Sequence, residues 1–179
     1  SISLPFNQLI GVMVEFQEDS DNSTSGNGSF LLTENENIDL DFIYEHDLSK
    51  CKTFIVDKPP HNSDYFLLQM LAVKNYYNSV SNNSVDFEIG IVDKVFKLDN
   101  TMKYYATSDI KVGQLFSETI NKLNQQILQD SEDLYFKTLT ENSILNENSS
   151  VLQDEILYVV FHAGLGQESS TDFDHTIYD

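Results

Sequence analysis

The stretch Leu9-Ile10-Gly11-Val12-Met13-Val14-Glu15-Phe16 decides the fold. Six of its eight residues are large and apolar, and they do not alternate with polar ones. A strand wetted on one face alternates, whereas a strand covered on both faces is a near-continuous apolar run, as in parallel sheets flanked by helices. The same pattern returns near the other end as Ile156-Leu157-Tyr158-Val159-Val160-Phe161. Between them, Val85, Phe87, Ile89 and Ile91 alternate and run on through Val95-Phe96, which predicts a further strand. Shorter runs at 40–44 and 53–56 are candidate strands, and Pro59-Pro60 ends regular structure because neither residue can donate to a ladder.

Two helices separate these strands. After Ser63 or Asp64 as cap, Phe66, Met70, Val73 and Tyr77 recur on one side with Leu67, Leu71 and Lys74 beside them, until the turn 78–83. Val112, Leu115, Phe116, Thr119, Leu123 and Ile127 give a second helix from Val112 to Ile127, capped by Ser108 or Asp109. The segments 17–29 and 142–150 are polar loops, and 131–154 as a whole has no periodic signal. The expected fold is α/β (or α+β): a mixed sheet of about four to five strands with two main helices, in one domain without internal repeats.

Charge narrows the function. With 29 acidic and 10 basic residues the net charge is −19, and every basic residue is lysine. Phosphate neutralisation needs clustered cations, so nucleic acid is not an expected partner and an anionic membrane surface is disfavoured. The apolar runs are too short to span a bilayer. Cys51 stands alone, so no disulfide framework supports the fold, and the surrounding negative field opposes a reactive thiolate. Sixteen asparagines make a polar, non-basic surface of the kind found on exported proteins, and glycosylation sequons fall at Asn22, Asn27, Asn82 and Asn148. Their number is close to what this composition produces by chance. The start at Ser1, with neither Met nor a basic n-region, fits a processed or internal beginning.

Candidate chemistry gathers after the last strand, at His162-Ala163-Gly164-Leu165-Gly166. A dinucleotide fingerprint would need a third glycine, and acidic residues stand where the pyrophosphate would sit. His46, His61, His162 and His175 contain no zinc-helix spacing, and HExxH is absent. His162 occupies a strand end, where α/β proteins often hold functional side chains, although an imidazole bonded to local backbone fits the same position. Glu168, Asp172, Asp174, His175 and Asp179 form an oxygen-rich segment that could hold Ca²⁺, without the spacing of the 12-residue calcium loop; a solvated acidic loop fits equally. Glu18, Asp19, Asp21 and Asn22 are open to the same two readings. No Gly-x-Ser-x-Gly elbow supports nucleophilic serine chemistry.

Three blocks carry a family resemblance. They are IGVMVEFQEDSDNSTSGNGSFLL (10–32), HNSDYFLLQMLAVKNYYNSVSNNSVDFEIGIVDKVFKLDNTMKYYA (61–106) and ILYVVFHAGLGQESSTDFD (156–174). In this order they resemble the catalytic domain of secreted metallopeptidases of the immune inhibitor A type. The matching elements are a strand ending in Glu15-Phe16, Gly26-x-Gly28-x-Phe30, the Tyr76-Tyr77 helix end, Met102-x-Tyr104-Tyr105, and His162-x-Gly164-x-Gly166-x-Glu168. Asn83 stands where that family has a turn glycine. The resemblance implies the N-terminal scaffold half of a zincin-like domain, secreted or at the cell surface. It places the zinc helix, with its HExxH ligands and general base, beyond residue 179, so it assigns no catalytic or zinc-binding residue to this chain. The implied partners are a protein or peptide substrate and the remaining C-terminal part of the same protein. A second expectation, from a different class, is a non-catalytic secreted or surface protein using the scaffold for adhesion or self-assembly.

Overall fold

In a computed structural model of the chain, residues 6–19, 27–33, 60–129, 136–138 and 156–164 are described. The apolar run that opens the sequence is strand β1, Gln8–Gln17, and Ile10, Val12, Met13 and Val14 are almost wholly buried. Strand β2, Glu88–Thr101, and strand β4, Ile156–His162, both lie parallel to it, with Leu9 opposite Ile89 on one side and Leu157 on the other. A three-residue strand, β3 at Phe136–Thr138, pairs antiparallel with β2, so the sheet order is β3-β2-β1-β4. The expected mixed α/β architecture holds, with three parallel strands of substantial length. The runs at 40–44 and 53–56 lie outside the described residues.

Parallel neighbours need crossovers. Helix α1, Ser63–Val80, joins β1 to β2, while the five-residue α2, Met102–Ala106, and helix α3, Asp109–Gln129, lie between β2 and β4. The chain steps from β1 to one side and then returns to the other side of β1, and the two long helices cover opposite faces. Ile10, Val12, Val14 and Phe16 pack with Leu115 and Leu123 of α3, whereas Leu9 and Met13 pack with Leu67 and Met70 of α1. β1 is thus the shared wall of two cores. Burial on both sides explains its uninterrupted apolar run.

Gly11 marks a close approach within that wall. A Cβ there would lie 2.9 Å from Met70 Sδ, 3.0 Å from Phe161 Cε2 and 3.1 Å from Ile91 Cγ1. The strand accepts its entropic weakness because only hydrogen fits between the helix and the neighbouring strands. β2 is longer than its partner: Gly11 faces Ile91 but Met13 faces Val95, and a second shift precedes Gln17 opposite Thr101. Each shift adds two residues, which preserves the side-chain alternation and keeps Val95 and Phe96 on the correct cores.

Several expectations are corrected. Asn62, rather than Ser63 or Asp64, caps α1, its side chain accepting from Tyr65 N at 3.1 Å. Ser63 is buried and its hydroxyl donates to Asp93. The inner face of α1 is carried by Leu67 and Met70, while Val73 and Tyr77 are exposed. In α3, Leu115, Thr119 and Leu123 are buried but Val112 and Phe116 stand out at the helix start. The turn after α1 uses Asn82 and Asn83 at φ 52° and 58°, a left-handed conformation that asparagine adopts more readily than other non-glycine residues.

Candidate functional site

In doubly wound sheets, loops leaving adjacent strands for opposite faces open a crevice at the carboxyl ends of the strands. Here that place lies at the end of β1, where Glu15-Phe16-Gln17 finishes one strand and Leu98 through Thr101 finishes its neighbour β2. Gln17 Nε2 donates to Leu98 O at 2.6 Å and ties the two ends together. β4 finishes on the other side of β1, where Ala163 N donates to Val14 O at 3.1 Å.

On the α3 face, the Phe16 ring is flanked by Tyr105, 5.7 Å away between centroids, and His162, 5.8 Å away. Nδ1 of His162 lies 3.0 Å from Ala163 O. A carbonyl can only accept, so Nδ1 carries the proton and the acceptor lone pair of the neutral ring lies on Nε2. His162 therefore makes the local backbone contact considered for it, and the same contact fixes its ring at the strand end. Gly164 follows at φ +83°, a left-handed turn that suits glycine.

Beside this stack is a polar cluster built by β2, α2 and α3. Glu118 accepts from Tyr105 Oη at 2.5 Å through one oxygen and from Asp99 N at 2.7 Å through the other. Lys122 lies 2.7 Å from Asp99 Oδ1 and 3.6 Å from Glu118 Oε1. Burial first, and then the bond to Glu118, push the Tyr105 hydroxyl up to about 12, so it stays a protonated donor. The Lys122 ammonium is held above its usual range, chiefly by its bond to Asp99. An open pocket of about 290 Å³ adjoins the cluster, lined by Asn100, Tyr104, Tyr105, Gln114, Ser117, Glu118 and Asn121. Its lining side chains bring amide, hydroxyl and carboxylate groups to a wall that is otherwise apolar. Both Glu118 oxygens accept a hydrogen bond, one from the end of β2 and one from α2, so the carboxylate holds those two elements to α3.

On the α1 face a loop returns to the end of β1. Phe16 N donates to Gly28 O at 2.9 Å, and Phe30 N donates to Glu15 Oε1 at 2.9 Å. Gly28 has φ +90°, with the Phe16 Cβ only 3.2 Å from where a Cβ on Gly28 would be. Phe30 then packs on Phe66 at 5.4 Å, and Phe66 stacks on Phe161 at 4.5 Å. The Gly28-x-Phe30 spacing thus has a local use: glycine permits the approach, and phenylalanine anchors the loop beneath α1.

Of the residues singled out in the sequence, His162 and Gly164 come to this carboxyl end. Gly166, Glu168, Asp172, Asp174, His175 and Asp179 lie outside the described residues, as do Asp21, Asn22, Cys51 and His46. Among the described residues no group of three His, Cys, Asp or Glu side chains is gathered closely enough to hold a metal ion, and no helix is long and apolar enough to cross a membrane. The Asp99–Glu118–Lys122–Tyr105 cluster is not among the sequence expectations. Its only sequence signal is the Met102-x-Tyr104-Tyr105 element; the charged members are ordinary surface residue types scattered along two elements. No protein-family model, curated protein or solved structure matches the chain.

Proposed function

We propose that the chain forms the N-terminal scaffold of a secreted zinc metallopeptidase-like protein, in which peptide-bond hydrolysis belongs to the whole protein and the zinc helix follows residue 179. The observation that carries this reading is the position of β4. Among the described strands it lies at the edge of the sheet beside β1, and its end brings His162-Ala163-Gly164 to the carboxyl-end crevice. The family-like elements are scattered through the sequence, yet Glu15-Phe16, Gly28-x-Phe30, Tyr104-Tyr105 and His162-x-Gly164 all converge on that end.

In this reading the sheet forms one wall of the substrate cleft. The outer edge of β4 offers backbone donors and acceptors to an extended peptide, with affinity from main-chain hydrogen bonds. The zinc would polarise the scissile carbonyl and activate a water from its own helix. Residues 1–179 would position substrate and exclude water rather than ligate zinc. Calcium held by Glu168, Asp172 and Asp174 would neutralise part of the acidic segment after β4. The alternative, a non-catalytic surface protein built for assembly, is favoured by one feature, the apolar outer face of α1.

Intact mass and C-terminal sequencing of the natural product test the proposal. A product longer than 20.4 kDa with HExxH after residue 179, whole or as a companion fragment, is expected. A natural product that ends at Asp179 with no companion overturns the peptidase reading.

A further inference from the structure

The pocket beside the Glu118 cluster has an ordered wall on its α3 side. Gln114, Ser117, Glu118 and Asn121 stand at i, i+3, i+4 and i+7, so one face of the helix presents hydrogen-bonding groups along about 10 Å of its length. Across from them, Asn100 comes from the end of β2, and Tyr104 and Tyr105 from α2. The fold itself uses some of these groups. Tyr104 Oη donates to Gln114 Oε1 at 3.1 Å, Tyr105 Oη donates to Glu118, and Ser117 Oγ donates to Gly113 O at 3.0 Å. What it leaves over is of both kinds. The N–H groups of Gln114 remain to donate, and the oxygens of Ser117 and of the Asn100 side chain remain to accept. The Asn121 amide, which bonds to no other described residue, offers a donor and an acceptor together. Charge beside the pocket is balanced. Lys122 lies 2.7 Å from Asp99 and 3.6 Å from Glu118, while the Lys111 ammonium stands 3.9 Å from the centroid of the Tyr104 ring and donates to its hydroxyl. Two carboxylates are thus matched by two ammonium groups, although the chain as a whole carries −19.

We infer that this pocket binds a neutral sugar, one pyranose ring held through its hydroxyls. A hydroxyl donates and accepts at the same atom, which suits side chains that leave both kinds of group over. A pyranose carries several hydroxyls around a C–H body, which suits dispersed hydrogen-bonding groups on an otherwise apolar wall with two tyrosine rings in it. A ligand with one amide or one hydroxyl leaves most of these groups unmet. An anion finds no cation among the lining residues, and a cation finds Glu118 already bonded to Tyr105, Asp99 N and Lys122. The volume of about 290 Å³ stands at the lower end of the roughly 300–1,000 Å³ of small-molecule sites, which is room for a single ring. The place agrees as well, since open α/β sheets hold their ligands outside the carboxyl ends of the strands. The pocket lies at the end of β2, whereas the peptidase reading uses the edge of β4 on the other side of β1. The inference does not depend on that reading.

Nuclear magnetic resonance of the ¹⁵N-labelled full chain reads the outcome, in titrations with glucose, galactose, mannose, N-acetylglucosamine and their methyl glycosides. With each taken to about 50 mM, at least one should move the side-chain amide signals of Gln114 and Asn121, with a Kd on the order of 1–10 mM. Gln114→Ala and Asn121→Ala should each weaken that binding about fivefold, the loss of one hydrogen bond, with unchanged melting temperature because both side chains are exposed. Asn75→Ala, at an exposed asparagine of α1, should leave the affinity as it was. Methyl glycosides that bind as well as the free sugars support the inference and make the ligand the terminal ring of a glycan. Binding of the free sugars alone supports it with a monosaccharide as ligand. No shift with any of these sugars overturns it, as does binding that both alanine variants leave intact. Tighter binding of glucuronate, or of glucosamine at pH ~6, than of glucose also overturns it, because the site would then select charge.

Discussion

Helices α1 and α3 cover opposite faces of one sheet, yet they are built differently. α3 carries its buried residues, Leu115, Thr119 and Leu123, on one stripe, and its exposed positions between Ser117 and Ile127 are polar. It also makes polar ties to the sheet, through Glu118 to Asp99 and through Lys94 to Gln126 at 2.6 Å. α1 buries Leu67 and Met70 on one face and leaves Leu68, Tyr76 and Val80 open on the other. Apolar periodicity alone therefore does not identify the core face of a helix. In α3, polarity on the far side fixes the phase only from Ser117 onward. In α1, two apolar faces compete, and only the docking against Gly11 and Ile91 decides between them.

The largest effect expected from this contrast is a pair of truncations. Leu123→Ala, at a fully buried site in the α3 layer, should cost about 2–5 kcal/mol by urea unfolding. Leu68→Ala, at an apolar but open site in the α1 layer, should stay within about 0.5 kcal/mol. Equal costs at the two positions would break the distinction between a core face and an outer face.

A smaller effect separates the faces by pH. Burial and Glu118 raise Tyr105 to about 12, and burial raises Tyr158 to about 12; both rings pack in the α3-side core. An unfolded chain loses these protons near pH ~10, whereas the folded chain keeps them. Their contribution is therefore fully present below about pH 10 and is lost as pH rises towards about 12. Tyr105→Phe should flatten part of that fall in stability, leaving the share of Tyr158. A decline with the same slope in the variant would remove Tyr105 from the account.

The same contrast governs what is legible in the sequence. The run 9–16 reveals a doubly covered strand because burial on two faces leaves a one-dimensional trace. The phase of α1 leaves no such trace, so Val73 and Tyr77 read as inner residues and lie outside. The end of β2 beyond Phe96 escapes sequence reading because Asp99, Asn100 and Thr101 are weak strand signals, held instead by pairing with β1 near Gln17. His162 is legible at the site, since a strand end followed by Gly164 is a local pattern. The Glu118 cluster is not, because it unites residues 19 positions apart through one carboxylate that bonds both Asp99 N and Tyr105 Oη.

The central functional claim is that these residues are scaffold and that the zinc chemistry lies beyond them. Elemental analysis tests it most directly, applied both to the 179-residue chain and to the natural product that contains it, after exchange into zinc-free buffer. The account predicts no stoichiometric zinc in residues 1–179 and one zinc per molecule in the longer product, together with peptidase activity that a chelator removes. One tightly held zinc in the 179-residue chain, or a longer product with neither zinc nor peptidase activity, would contradict it.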